Sequence, residues 1–201
     1  MKATNVILVL LTLALGGCSG MRIVDSDVTS FSASTTQAVT LPVRYRFERL
    51  PSQQARATQS SALEALAQPL LEQAGLRRDD AAPDYTVQLD LRQFRDAQSP
   101  WDDARFIGAY QLYFPQPGRY GLLMRSPPLA FGVPESPYYR RELAVVVRRL
   151  ADMQVVFESR AKHDGPWPDD AAILSAMLQA AMQGFPAAPA GARRVLIEIA
   201  R

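Results

Sequence analysis

The side chains that most often carry catalysis are scarce in this chain. His163 is the only histidine among 201 residues, so a metal site built from several imidazoles is excluded, and any Ser-His-Asp arrangement must use this residue. It lies in the segment 162–165, Lys-His-Asp-Gly, which the sequence predicts to be a polar turn. The chain has no Gly-x-Ser-x-Gly motif that would present a nucleophile. We therefore expect His163 to be a solvated or capping residue and not a catalytic base.

Paired carboxylates are the second possible source of acid/base chemistry. They occur at Asp79-Asp80, Asp102-Asp103 and Asp169-Asp170. Adjacent residues on an extended segment point to opposite sides, so such pairs make poor catalytic dyads. A solvated turn explains the first pair and helix capping explains the last, which leaves Asp102-Asp103 as the one weak candidate. We predict that the protein is not an enzyme, with no catalytic residue, no metal site and no cofactor.

Cys18 is the only cysteine, and it follows a segment that is typical of a secretory signal. Lys2 precedes an apolar run from Val6 to Leu15, which is too short to span a bilayer as a mature helix. Residues 15–18, Leu-Gly-Gly-Cys, resemble the lipobox of bacterial lipoproteins, in which the cysteine thiol is acylated and the peptide is cut before it. This resemblance implies that residues 1–17 are removed and that Cys18 carries acyl chains such as palmitate. A free thiol after an ordinary signal is the alternative.

The lipobox also implies a location for the mature protein. Several acyl chains hold a protein on a membrane durably without spanning it. Ser19 stands where, in enterobacterial sorting, an Asp would retain the protein on the inner membrane. The sequence therefore predicts a bacterial envelope protein on the periplasmic face of the outer membrane. Without residues 1–17 the chain has 21 basic and 20 acidic residues, so nucleic acid is not expected as a partner.

Hydrophobic patterns beyond the anchor predict one α+β domain over residues 27–201, with residues 18–26 as the lipidated terminus and tether. Strands are predicted at 27–33, 43–48, 84–91, 140–150, 154–161 and 193–199. One helix is predicted over 60–74, with a kink or break at Pro69 and a left-handed end at Gly75, and another from Asp169 to Gly184. Because few connections are of the strand-helix-strand kind, we expect a mainly antiparallel, mixed sheet with both helices packed on one face.

Residues 94–139 form a predicted insertion between strands that is rich in aromatic residues and proline. It contains ten of the seventeen aromatic residues and seven prolines. Structureless connections of this length are usually functional or disordered, and this aromatic content argues against disorder. In one interpretation, which we favour, the rings cover, as a lid, the side of the sheet that the helices leave open. In the other, they form a surface for a ligand, a partner protein or the membrane. The candidate surface residues are Trp101, Phe106, Tyr110, Tyr113, Phe114 and Tyr120.

Several short segments, taken in order, resemble the lipoprotein family grouped as domain of unknown function 4136. The matching segments are 27–31, 45–51, 73–76, 83–87, 141–145, 184–186 and 191–195, with Asp152 in the hairpin turn. The resemblance covers nearly all of the mature chain. It implies an α+β lipoprotein fold, and it implies no established activity and no catalytic motif.

Three functions are compatible with the sequence. The first, which we favour, is a non-enzymatic envelope lipoprotein that binds a periplasmic or outer-membrane partner, or serves in assembly, through the insertion and a sheet edge. The second is an auxiliary lipoprotein of intermembrane lipid transport that binds an apolar ligand. The third is a hydrolase of envelope polymers, which would need an acid pair that converges with His163 in a cleft.

Overall fold

The computed structural model describes residues 20–32, 39–96, 99, 137–168, 170–187, 189 and 191–200. The strands in this part of the chain are β1 (Met21–Ser32), β2 (Val43–Phe47), β3 (Leu76–Arg78), β4 (Tyr85–Asp96), β5 (Tyr138–Arg149), β6 (Val155–Gly165) and β7 (Gly191–Ala200). The helices are α1 (Pro51–Gln54), α2 (Ala57–Gln73) and α3 (Asp170–Met182).

All seven strands belong to one sheet, in the order β3-β2-β4-β5-β6-β1-β7. β1 lies between β6 and β7 and is antiparallel to both strands. β2 lies between β3 and β4 and is parallel to both strands. The α+β fold with a mixed sheet, predicted from the hydrophobic patterns, is confirmed.

The core is built from alternate residues of the strands and from the apolar faces of the two long helices. Helix α3 contacts β1, β7 and α2, while α2 also contacts β3. The largest side chains that are fully buried include Tyr45, Phe157, Leu71, Leu76, Leu143, Ile173 and Met177. Burial of this apolar surface is the main source of stability for both helices and sheet. The placement of both helices on one face stays a prediction.

Strand β1 begins at Met21, so the prediction of a tether over residues 18–26 is wrong from Met21 onward. The sequence placed the first strand near Asp27 because polar residues such as Asp25 and Ser26 interrupt the apolar pattern. Residues 21–26 are held in the strand by backbone pairing with β7, and they therefore tolerate polar side chains that a propensity pattern counts against a strand.

Helix α2 runs through Pro69 as one element, so a break at this proline did not occur. Proline removes one backbone hydrogen bond, the one to the carbonyl of Ala65. Both residues are exposed, so water can satisfy that carbonyl, while Ala67 and Leu71 are buried on the opposite side. The helix ends as predicted, with Gly75 at a φ of 90°.

Strands β4 and β5 extend into the predicted insertion of residues 94–139. Phe94 lies in β4, and Tyr138 and Tyr139 lie in β5. The six candidate surface residues, from Trp101 to Tyr120, lie outside the described residues. Helix α1 and strand β3 were not predicted. Both are shorter than a period-based pattern can detect.

The contacts divide the chain into two compact units, with boundaries within β4, β5 and β6 and a fourth after Pro168. The first consists of Met1–Arg92, Glu142–His163 and Asp169–Arg201, and the second of Gln93–Arg141 and Asp164–Pro168. The first unit contains β1, β2, β3, β7 and the three helices. In the second, Arg140 forms an ion pair with Asp96 at 2.9 Å, and the Tyr138 hydroxyl donates a hydrogen bond to Asp164.

Tyr45 is a fully buried tyrosine of β2 whose hydroxyl has no hydrogen-bond partner in the described part of the chain. Its ring packs edge-on against Phe47, with 5.2 Å between the ring centroids. Burial raises the pKa of Tyr45 to about 12, and the nearby charge of Arg78 opposes this only in part. The hydroxyl is therefore held neutral in the folded protein at pH values where an exposed tyrosine ionises.

We predict that Tyr45→Phe is at least as stable as the wild type at neutral pH, because it removes an unsatisfied buried hydroxyl. The folded pKa lies above the unfolded value of about 10, so the stability linked to Tyr45 is present below pH ~10 and is lost as the pH rises toward 12. The variant should lose less stability over this range, as measured by urea denaturation at a series of pH values. Identical losses in Tyr45→Phe and the wild type would contradict the assignment.

Candidate functional site

Strand β1 separates a buried side from a strongly exposed one. Val24 and Val28 are buried, whereas Met21, Ile23 and Phe31, on the opposite side of the strand, are 69%, 57% and 58% exposed. Met21 and Ile23 lie beside β7 and Phe31 lies opposite Glu158 of β6, so these exposed side chains share one surface with residues of both neighbouring strands.

We call this surface the exposed face. Its residues are Met21, Ile23, Asp25, Asp27, Thr29 and Phe31 on β1, Glu158, Arg160 and Lys162 on β6, and Arg194, Leu196 and Glu198 on β7.

One end of the exposed face is apolar. Leu196 is 60% exposed and lies opposite Asp25, one diagonal step from Ile23, which is followed along the same side of β1 by Met21. Single exposed apolar residues are ordinary, but adjacent ones on a sheet face are typical of an interaction surface. We call Met21, Ile23 and Leu196 the apolar end.

The apolar end lies close to Cys18 along the chain. Only Ser19 and Gly20 separate Cys18 from the first residue of β1. An extended chain advances at most ~3.6 Å per residue, so the Cα atoms of Cys18 and Met21 lie within about 11 Å of each other. Any group attached to Cys18 is therefore confined to the neighbourhood of the apolar end.

The other end of the exposed face forms an open groove of about 530 Å³. Its lining residues are Asp27, Thr29, Phe31, Glu158, Arg160 and Lys162. The register of β1 and β6 places them as facing pairs, with Thr29 opposite Arg160 and Phe31 opposite Glu158. The groove thus presents one aromatic ring among charged and hydroxyl groups.

The charges of the groove are partly compensated within the protein. Arg160 lies 3.3 Å from Glu142 and 3.9 Å from Glu158. Lys162 faces Asp27 across the strands but forms no ion pair among the residues that the structure describes. The groove therefore offers an ammonium group that an incoming carboxylate could bind.

His163 is buried in β6, so the prediction that it occupies a solvated turn is wrong. Its side chain is 4% exposed, and its Nδ1 lies 2.6 Å from the backbone carbonyl oxygen of Asp25, to which it donates a hydrogen bond. Its Nε2 is buried without a partner in the described ranges. The strand continues to Gly165, and its alternation with the exposed Lys162 places His163 on the buried side.

This position could have been inferred from the sequence by extending the alternation of Ser159 and Ala161 by one more step. A buried imidazole that is engaged by a backbone carbonyl is poorly placed to exchange protons with a substrate.

Of the other residues that the sequence singled out, some lie in the described part of the chain and some lie outside it. Asp79 accepts hydrogen bonds from the backbone N–H groups of Ala81 and Ala82 at 3.0 Å, as the prediction of a turn requires. Cys18, Asp102-Asp103 and Asp169 lie outside the described residues. Within the described ranges, no three His, Cys, Asp or Glu side chains are grouped to hold a metal ion. No helix in those ranges has the length and apolarity needed to cross a bilayer.

Comparison with known sequences assigns the chain to a family. Residues 24–187 match the family described as "Domain of unknown function (DUF4136)". The chain belongs to this family. The family resemblance of the sequence segments is thereby confirmed, and the match covers α3 and, of the strands given above, β2 to β6 and β1 from Val24 onward in this DUF4136 protein. The sequence matches no curated protein.

Solved structures are similar to this DUF4136 protein only at low identity. A PDZ domain protein from Parabacteroides distasonis is 13% identical, with a TM-score of 0.51, over 90% of this chain and 40% of that chain. This chain therefore spans less than half the length of that protein, and the likeness concerns the fold alone. PelC from Paraburkholderia phytofirmans, crystallised as a dodecamer, has a TM-score of 0.43 and 9% identity over 78% of this chain and 94% of its own.

We predict that truncation to alanine changes the free energy of unfolding by very different amounts at two phenylalanines on neighbouring strands. Phe31→Ala should change the free energy of unfolding by less than about 0.5 kcal/mol, because the ring is 58% exposed. Phe157→Ala should lower it by about 3–5 kcal/mol, because that ring is fully buried and packs edge-on against Phe185 at 4.9 Å. Urea denaturation measures both changes. A loss of several kcal/mol in Phe31→Ala would show that the exposed face is part of the core.

Proposed function

We propose that this DUF4136 protein is a lipid-anchored, non-enzymatic binding or assembly component on the periplasmic face of the bacterial outer membrane. Its partner is a periplasmic or outer-membrane protein that binds the groove of the exposed face. The observation that carries the proposal is the position of β1, which begins three residues after Cys18 and presents the exposed face along its length.

The short connection gives the exposed face a defined relation to the membrane. Acyl chains on Cys18 enter the bilayer, and Met21 of the apolar end lies within about 11 Å of Cys18, so the apolar end is the part of the exposed face nearest the anchor along the chain. Phe31 lies ten residues further along β1, about 33 Å from Met21 at the rise of a strand. Near one end the exposed face thus meets the membrane, and the groove lies far enough from Cys18 to reach a partner protein.

The chemistry of the groove favours a protein over an acyl chain as the ligand. Burial of Arg160 and Lys162 under hydrocarbon would remove their hydration without supplying hydrogen bonds in return. A peptide segment supplies carboxylate and carbonyl oxygens for these cations and an apolar side chain for Phe31. A binding function is also supported by the burial of His163, the one histidine, on the side of the sheet away from the groove.

Lipidation is tested by Cys18→Ser in cells that are labelled with radioactive palmitate. We expect the wild type to incorporate label and to sediment with outer membranes, whereas the variant carries no label and no longer sediments with outer membranes. Ser19→Ala is the matched control and should stay labelled and membrane-bound. Label in Cys18→Ser, or an unlabelled wild type, would refute the anchor.

The binding surface is tested by a photoreactive phenylalanine analogue at position 31 in intact cells. We expect cross-links to an envelope protein from position 31, and none from position 153, where Met153 is 54% exposed in the β5–β6 turn. Lys162→Glu should reduce the yield at position 31 several-fold through charge reversal, while Lys162→Arg keeps it. Equal yields from positions 31 and 153 would count against the groove, and capture of lipid alone would favour an auxiliary role in lipid transport.

A further inference from the structure

The two edges of the described sheet differ in how they are protected against pairing with another strand. Strand β3, at one edge, has three residues, and two of them are Arg77 and Arg78. Strand β7, at the other edge, has ten residues and contains no proline. One side of its backbone has no partner strand within the described sheet. A long and regular edge of this kind is a template for a further strand.

The charge pattern of β7 is symmetric about Leu196 on the exposed face. Arg194 lies two residues before Leu196, and Glu198 lies two residues after it. Two identical antiparallel strands related by a two-fold axis through Leu196 would place Arg194 of each copy opposite Glu198 of the other. Axes through Arg194 or Glu198 would instead place two like charges directly opposite each other, which is unfavourable.

We propose that β7 pairs antiparallel with β7 of a second copy of this chain, centred on Leu196, so that the two sheets become continuous. The occupant of the edge is a second copy because β7 is complementary in charge to itself in this one register. On the other side of the strand, the same register places Val195 opposite Ile197, so apolar pairs flank the axis there also. The pairing needs no lipid anchor and is independent of the function proposed above.

The charged residues of β7 have capacity for these new contacts. Glu198 forms no ion pair in the described part of the chain. Arg194 is 65% exposed at its side chain and approaches Asp25 and Asp27 no closer than 3.4 Å. Leu196 is 60% exposed and would be covered by Leu196 of the second copy. Pairing therefore buries an exposed apolar side chain and leaves both charges compensated.

Cysteine cross-linking tests the register in intact cells that express the full-length protein. At the axis, Leu196→Cys places two Cα atoms about 5 Å apart, within disulfide range, so oxidation should give a covalent dimer in high yield. Glu198→Cys is the matched control on the same face of the same strand, and its two copies would lie about 14 Å apart. We expect no covalent dimer from this control. We also expect none from the wild type, whose only cysteine is Cys18, so the wild type controls for disulfides formed by that residue.

Charge reversal tests the pairing energy on the purified full-length protein by sedimentation. We expect a dimer for the wild type and a dimer dissociation constant raised about tenfold or more in Glu198→Arg, where arginines face each other twice. Glu72→Arg, an exposed reversal on α2, should dimerise like the wild type.

Each outcome of these experiments decides for or against the proposal. A wild-type monomer at all concentrations, equal cross-linking from positions 196 and 198, or an unchanged constant in Glu198→Arg would overturn it. Capture of a different protein by Leu196→Cys, with no homodimer, would also overturn it by assigning the edge to another partner.

Discussion

The position of β1 between β6 and β7 is the constraint on which the rest of the structure depends. Ten consecutive residues of β1, from Met21 to Ser30, pair with β7, and Asp27 to Ser32 also pair with β6. The first strand in the described part of the chain thus pairs with two strands from the C-terminal half. Helix α3, which lies between β6 and β7 in sequence, packs on β1 and β7. Without β1, strand β7 would lose its partner in the sheet, and α3 would lose part of the surface on which it packs.

The position of β1 also determines which side chains lie on each side of this part of the sheet. On the buried side it brings the carbonyl of Asp25 to His163 and the hydroxyl of Ser30 to within 2.9 Å of the Ser159 hydroxyl, so His163 Nδ1 and the Ser159 hydroxyl each have a partner on β1. On the other side it places apolar and charged residues of three strands in one surface. The histidine is thereby withdrawn from solvent, and the surface available for recognition is the exposed face.

Much of the architecture could be predicted from alternation. Tyr45 and Phe47 in β2, Val87 and Leu89 in β4, and the β5–β6 hairpin were all placed in strands by the pattern of their side chains. The start of β1 could not be placed, because its backbone pairing with the distant strand β7 outweighs the polar residues that obscure its period. The groove could not be predicted either, since its lining comes from strands more than a hundred residues apart and depends on their register.

By itself, the sequence determined the secondary-structure class, the ends of the helices at glycine and the family, because each depends on local pattern or on the order of short motifs. Only the tertiary structure decided that His163 is buried, that Met21 and Ile23 share a surface with Leu196, and that β7 forms an edge. These properties depend on which strands are neighbours and in which register. That choice follows from the packing of the whole chain, and no local segment encodes it.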